Sequence, residues 1–194
     1  MLWALLVIAI VALLTLSALG AYKRLISKRN HFKNAYTQID VQLKRRYDLI
    51  PSLIEAVKGS LAHESDALES VLRARNAAYG ASQRAAENAG EPQAMRSLAH
   101  AEAQLASGMS RILALTQRVP KLAANANLRE LNEEWSATEH RVVFACETYN
   151  DCVHRYNDAR HAFPALLVSS VLGFPSADVL HVNARDERYT PTSL

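Results

Sequence analysis

The sequence predicts an all-α protein, in which an N-terminal transmembrane helix continues into an antiparallel four-helix bundle with a short C-terminal apolar helix. Three observations lead to this class. Gly and Pro number only six each in 194 residues, so few positions interrupt a helix. Apolar residues recur at steps of three or four over long stretches, which is the period of a helix face. The residues before Lys23 carry no charged side chain.

Residues 1–22 are the first predicted element. About 20 apolar residues, at about 1.5 Å rise each, cross the hydrocarbon core of a bilayer. A cleaved signal peptide is the alternative, since residues 18–21 read ALGA. That alternative is disfavoured because no positive charge precedes the apolar run, which is also long for a signal peptide. We interpret residues 1–22 as an uncleaved anchor.

Basic residues crowd the chain directly after this anchor, whereas no Lys or Arg precedes it. The positive-inside rule therefore places the N-terminus outside and the body in the cytoplasm. Lys23 and Arg24 lie near enough to the span to contact anionic lipid headgroups. Lys44, Arg45 and Arg46 lie further along the chain, so we expect them to contact a neighbouring subunit or a partner.

The apolar pattern continues from the anchor to Leu61, so the membrane helix is expected to run directly into the first helix of the bundle. Pro51 removes one backbone donor and should kink this helix. The second helix is expected over 63–88, and the third begins at Pro92 and ends before 118. The fourth begins at Asn127, which resembles a capping box with Glu130, and continues to about 163.

These helices define three regions. Residues 1–22 form the anchor, 23–175 form the bundle, and 176–194 are expected to be a disordered tail. The last part of the bundle region, 163–174, is almost wholly apolar but too short to span a membrane. It either covers the end of the bundle or lies in the lipid interface.

Searches for catalytic and metal-binding patterns give no match. There is no phosphate-binding loop, no G-x-S-x-G, no H-E-x-x-H and no Glu-x-x-His pair. Cys146, Cys152, His154 and His161 look like zinc ligands, but one helix places them on different faces and too far apart for one ion. The sequence therefore predicts no enzyme, no cofactor and no metal site, and a net charge of +3 gives no indication of nucleic-acid binding.

Glu102 falls on the apolar face of the third helix, where a carboxylate needs a partner. Three arginines, Arg46, Arg75 and Arg160, lie on or beside apolar faces of other helices. An internal Arg–Glu pair that fixes the register of the helices is the interpretation we favour over a catalytic carboxylate.

Several segments together resemble one known family. They are IDVQLKRRYDLIPSLIEAVKGSLAHE, VPKLAANANLRELNEEWSATEHRVVFACETYNDCVHRYNDARHAFP and the following apolar segment with GF. The chain is similar over about 20–175 to the LemA family of bacterial membrane-anchored helical-bundle proteins. The resemblance implies a four-helix bundle on a single-pass anchor in the bacterial cytoplasmic membrane, and it does not imply an enzyme.

The paired Tyr-Asn motifs of this resemblance have two interpretations. Tyr149 and Tyr156 lie one heptad apart on the apolar face of the fourth helix, and Asn150 and Asn157 follow on its flank. The tyrosines either fill the core while the asparagines bond neighbouring helices, or the four side chains form a polar ridge that binds another copy or a partner.

Two functions follow from the sequence. The first is a membrane-anchored scaffold or interaction protein with coiled-coil-like helix packing, which self-associates and organises membrane or envelope proteins at the lipid bilayer. The second is a ligand-binding or sensory module that passes a signal through the continuous first helix, with Pro51 as its hinge.

Overall fold

The computed structural model describes residues 2–182 of the chain. In this range the chain forms α1 (Leu2–Lys58), a one-turn 3₁₀ helix (Ala62–Glu64), α2 (Ser65–Glu87), α3 (Pro92–Arg118), α4 (Pro120–Ala123), α5 (Ala126–His161) and α6 (Ala165–Val171). No strand occurs within it. The predicted all-helical class is confirmed.

Helix α1 is a single element of 57 residues. Its first part carries large apolar side chains that no other part of the described chain covers: Trp3, Leu5, Leu6, Ile8, Ile10, Leu13, Leu16 and Leu19. From Leu25 onward one side of the same helix is buried, through Phe32, Tyr36, Ile39 and Leu43. By length and composition, α1 is the one helix among residues 2–182 that can cross a membrane.

The starts of the later helices follow from local capping. The Glu91 carboxylate accepts hydrogen bonds from the amides of Gln93 and Ala94, and Pro92 opens α3. The Asn125 side chain accepts from the amide of Leu128 and opens α5. The cap of α5 is therefore Asn125 and not Asn127 as predicted, because α4 shortens the preceding connection and the helix starts two residues earlier.

The long helices pack side by side, and the contacts between α1 and α5 run antiparallel. In α1 and α5, Phe32 packs against Tyr156 while Arg45, further along α1, pairs with the earlier residue Glu134 of α5. In α2 and α3, the position of Gly108 lies so close to Val71 that an added Cβ would stand 3.0 Å from its side chain. A second contact, between Tyr47 and Tyr79, joins α1 to α2.

After α6 the chain is irregular but not solvent-exposed. Residues 174–182, here called the C-terminal strap, return along the body, with Phe174, Ala177, Leu180 and Val182 buried. The prediction of a disordered tail over 176–194 is therefore wrong for 176–182, because these residues bury apolar side chains and bond to α5. Residues 183–194 of that predicted tail lie outside the described residues.

Candidate functional site

The two Tyr-Asn pairs of α5 form one structural unit, here called the Tyr-Asn ladder (Tyr149, Asn150, Tyr156 and Asn157). Seven residues make close to two helical turns, so the second pair repeats the position of the first on the same face. Both tyrosine rings are buried against α1. The hydroxyl of Tyr149 donates to the carbonyl of Asp178, and that of Tyr156 donates to the carbonyl of Pro175, each at 2.8 Å.

Each asparagine of the ladder bonds both main-chain groups of one strap residue. Asn150 Nδ2 donates to the carbonyl of Leu180 at 3.1 Å, and its Oδ1 accepts from the amide of Leu180 at 2.8 Å. Asn157 makes the same pair of bonds to Ala177, at 2.9 and 3.1 Å. A side-chain amide carries one acceptor and two donors, so it can satisfy a peptide unit as a neighbouring strand does.

The turn between α2 and α3 holds the strap from its other side. The amide of Asp178 donates to the carbonyl of Gly90 at 2.9 Å. Gly90 has a φ of +87°, and a Cβ there would stand 2.9 Å from Phe32 and 3.0 Å from Ala177. Both the backbone conformation and the lack of space therefore require glycine, and the strap is wedged between α5 and this turn.

The ladder thus differs from both interpretations of the sequence. Its tyrosines do fill the core, but its asparagines bond the main chain of the strap instead of neighbouring helices, and the ladder is already occupied by the chain's own residues. The repeated Tyr-Asn motif was the available signal for a site here. Nothing in the pattern of residues 174–182 pointed to what would occupy it.

Burial gives the core tyrosines a common electrostatic property. Desolvation raises the pKa of Tyr36, Tyr47 and Tyr149 far above that of a free tyrosine, and it raises the pKa of Tyr156 as well. Their hydroxyls are therefore neutral donors at ordinary pH. A neutral hydroxyl is what the carbonyl oxygens of the strap require.

A buried ionic cluster joins α1, α3 and α5. The guanidinium of Arg46 pairs with Glu102, to which the Tyr47 hydroxyl also donates a hydrogen bond. Glu139 lies 3.4 Å from the same guanidinium, which also packs over the ring of Trp135. Burial lowers the pKa of Arg46, while Glu139 raises it, and an arginine side chain stays charged in proteins.

Two of the predicted site residues, Glu102 and Arg46, belong to this ionic cluster. Glu102 has its partner in Arg46, so the internal Arg–Glu pair is the one between α3 and α1. Arg46 is 2% exposed, so it does not lie on a surface where a second subunit could contact it. That expectation was wrong because Arg46 lies on the buried side of α1, between Leu43 and Tyr47.

Pro51 lies within α1, which continues past it to Lys58. A proline at this position leaves the carbonyl of Tyr47, four residues earlier, without its helical donor. Arg75 of α2 replaces that donor, with its Nε 3.3 Å from the carbonyl oxygen. The same guanidinium lies 3.7 Å from Asp48 and packs over the ring of Tyr79. Pro51 therefore creates an attachment point for α2.

The remaining basic candidates lie on the surface of α1. Lys23 and Arg24 are exposed directly after the apolar segment. Lys44 pairs with Asp40 at 2.7 Å, and this hydrogen bond raises its pKa. Arg45 pairs with Glu134 of α5 at 2.8 Å. Lys44 and Arg45 therefore already have partners within the chain.

The fold does not bring the cysteines and histidines of α5 together at one site. Cys146 is buried and Cys152 is half-buried, while His154 and His161 are exposed. Across residues 2–182, no group of three or more His, Cys, Asp or Glu side chains could hold a metal ion.

These features define an all-helical protein whose first helix combines an uncovered apolar segment with a packed body and whose C-terminal strap is bonded to α5. The chain matches the model of the LemA family over residues 35–192 and belongs to that family. No curated protein matches it. The family match begins after Lys23 and Arg24 and includes the whole ladder and strap, which are therefore part of what the family model describes.

Proposed function

We propose that the protein is a non-enzymatic, single-pass scaffold, whose antiparallel four-helix bundle is held at the bacterial cytoplasmic membrane and self-associates. The main support for membrane anchoring comes from helix α1. Its apolar segment is uncovered, and the same unbroken helix then supplies one wall of the packed body. Apolar side chains that no protein covers are stable in lipid and costly in water.

Charge supports the orientation of this anchor. The basic collar, defined as Lys23, Arg24, Lys28, Arg29 and Lys33, follows the apolar segment, and no Lys or Arg precedes it. Basic residues close to a span remain on the cytoplasmic side. The helical body therefore faces the cytoplasm, and the short N-terminus lies outside.

The surface of the body supports an interaction role. Phe144 on α5 is 71% exposed, and Val41 on α1 is 50% exposed. The antiparallel register that pairs Tyr36 with Tyr149 and Arg46 with Glu139 brings these two residues to about the same height. Exposed aromatic side chains are enriched where proteins contact one another, and the centre of such a contact is apolar.

The test measures orientation and assembly on the full chain. A C-terminal fluorescent reporter should fluoresce, and a C-terminal alkaline phosphatase should be inactive. The detergent-solubilised protein should have a native mass above that of one copy, and Phe144→Ser should lower it. Gln83→Ser, at an exposed polar position of α2, is the matched control and should leave the mass unchanged. Active phosphatase would reverse the orientation, and a single-copy mass without co-purified partners would exclude the scaffold.

A ligand-binding or sensory role is the second candidate, and one observation favours it. A groove of about 1020 Å³ lies between α2 and α3, with His63, Arg73, His100 and Arg111 on its lining. Several small side chains also line it, among them Ala74, Ala77 and Ala103. A small molecule that stays with the purified protein and is lost in His100→Leu would support this role over the scaffold.

A further inference from the structure

Helix α6 has one face toward the body and one face without cover. Ala165, Val168 and Ser169 point inward and are buried. The large apolar side chains that stay uncovered here, called the apolar foot, are Phe163, Leu166, Leu167, Val171 and Leu172, and Ser170 is exposed among them. Val171 is 81% exposed and Phe163 is 77% exposed. No residue from 162 to 177 carries a charge, so no charged side chain of this stretch shields the foot from its surroundings.

The fold brings α6 to the end of the apolar segment of α1. The ring of Phe174, just after α6, contacts the ring of Tyr22 edge-on at a centroid distance of 5.7 Å. Tyr22 is the residue that separates the apolar segment from the basic collar. On the neighbouring turns of α1, Ala21 and Leu25 are buried. The foot therefore lies at the height where α1 would leave the bilayer.

The chemistry around the foot is that of a membrane interface. Tyrosine is enriched where membrane helices meet the headgroups. Lys23 and Arg24, which directly follow Tyr22 and are exposed, suit anionic headgroups. Helices that lie in the interface combine an apolar face with basic residues in this way. A second copy or another protein is the competing occupant of the foot, and the quenching experiment separates it from lipid.

We propose that the apolar foot is a second membrane contact, inserted at the boundary between headgroups and acyl chains beside the span. This inference rests on the proposed anchor. One span alone leaves the body free to rotate and tilt on the membrane. A second contact on α6 fixes which side of the body faces the lipid and holds the Tyr-Asn ladder at a set angle to the membrane.

The experiment places a fluorophore at single cysteines in the full chain, after Cys146 and Cys152 are changed to Ala. Leu167→Cys and Val171→Cys report on the foot. Gln83→Cys is the control, because Gln83 is exposed on α2 and belongs neither to the foot nor to the proposed contact at Phe144. The labelled proteins are reconstituted into vesicles of phosphatidylcholine and phosphatidylglycerol. Quenching by lipids brominated near the headgroup is compared with quenching by aqueous iodide.

The foot labels should be quenched by the brominated lipid and at least about tenfold less accessible to iodide than the Gln83 label. Equal iodide access at all three positions would overturn the proposal. Labels protected from both quenchers would overturn it as well, since a second copy or another part of the protein would then cover the foot. Resistance of the same samples to alkaline carbonate extraction reports on the anchor itself, so loss of the anchor and loss of the foot contact are distinguishable.

Discussion

At the scale of the residue, the most informative side chains are Asn150 and Asn157. Each bonds the amide and the carbonyl of one strap residue, so it replaces the partner strand that an irregular segment lacks. An unpaired peptide group next to a buried surface costs free energy, so these side chains decide whether the strap stays on α5.

Asn150→Ala tests this role. The change removes both bonds to Leu180, and we expect the free energy of unfolding to fall by about 1–3 kcal/mol. Chemical unfolding of the full chain in detergent micelles, followed by circular dichroism, measures it, and limited proteolysis reports release of the strap. Asn34→Ala, at an exposed position of α1, should change stability by no more than about 0.5 kcal/mol. A variant at Asn150 that is as stable and as protease-resistant as the Asn34 control would show that the bonds contribute nothing.

At the scale of the element, α1 shows how a helix-disrupting residue becomes a contact between helices. Pro51 leaves the carbonyl of Tyr47 without its donor, and Arg75 supplies one from α2. The proline therefore need not act as the hinge that the sequence suggested. Its effect is to make the position of α2 depend on one arginine.

A double-mutant cycle measures this dependence. Arg75→Ala alone should cost about 1–3 kcal/mol, because the Tyr47 carbonyl then has no donor. In a Pro51→Ala background the restored amide donates to that carbonyl within α1, so the same change should cost about 1 kcal/mol less. Arg73→Ala, at a neighbouring exposed arginine, is the control and should cost the same in both backgrounds. If the stability effects of the changes at 51 and 75 are strictly additive, Arg75 does not replace the donor that Pro51 removes.

At the scale of the whole molecule, four buried tyrosines join α1 to the rest of the body: Tyr36, Tyr47, Tyr149 and Tyr156. Burial raises the pKa of each, so the folded protein holds these protons more tightly than the unfolded chain does. The stability that this difference contributes is complete below the pKa of a free tyrosine, about 10, and declines as the pH rises above it.

We therefore expect alkaline unfolding in which tyrosinate absorbance from these rings and loss of helical circular dichroism rise together. Tyr36→Phe should raise the pH of the transition, since the Tyr36 hydroxyl is buried without a hydrogen-bond partner in the described structure and the variant has nothing to ionise. Tyr22→Phe, whose ring is 37% exposed, serves as the control and should leave the transition unchanged. Ionisation of all tyrosines well before any helix is lost would contradict the expectation.

The features that could be predicted from the sequence are those that repeat along a helix. The apolar period predicted the long helices and the continuity of α1, and the position of Glu102 predicted a buried ionic partner. It did not select Arg46 among three arginines, because that choice depends on how far α1 is displaced along α3 and α5. It also missed the strap, because the bonds that α5 makes to the strap go to main-chain atoms, which no side-chain pattern of residues 174–182 reveals.

The spacing of Asn150 and Asn157 along α5 matches the spacing of the two strap residues that they bond. Seven residues of helix measure about 10.5 Å at about 1.5 Å each, and the three steps from Ala177 to Leu180 cover about 10 Å in extended chain. The two lengths agree, with the strap running in the opposite direction to α5. The asparagines bond only main-chain atoms of the strap, so exchanging one exposed strap residue for another does not change the agreement between the two lengths. Inserting or deleting a residue between 177 and 180 shifts the chain by about 3.3 Å, more than a hydrogen bond can absorb. The two asparagines therefore fix the length of the strap between 177 and 180, while burial of Ala177 and Leu180 still limits which residues fit there.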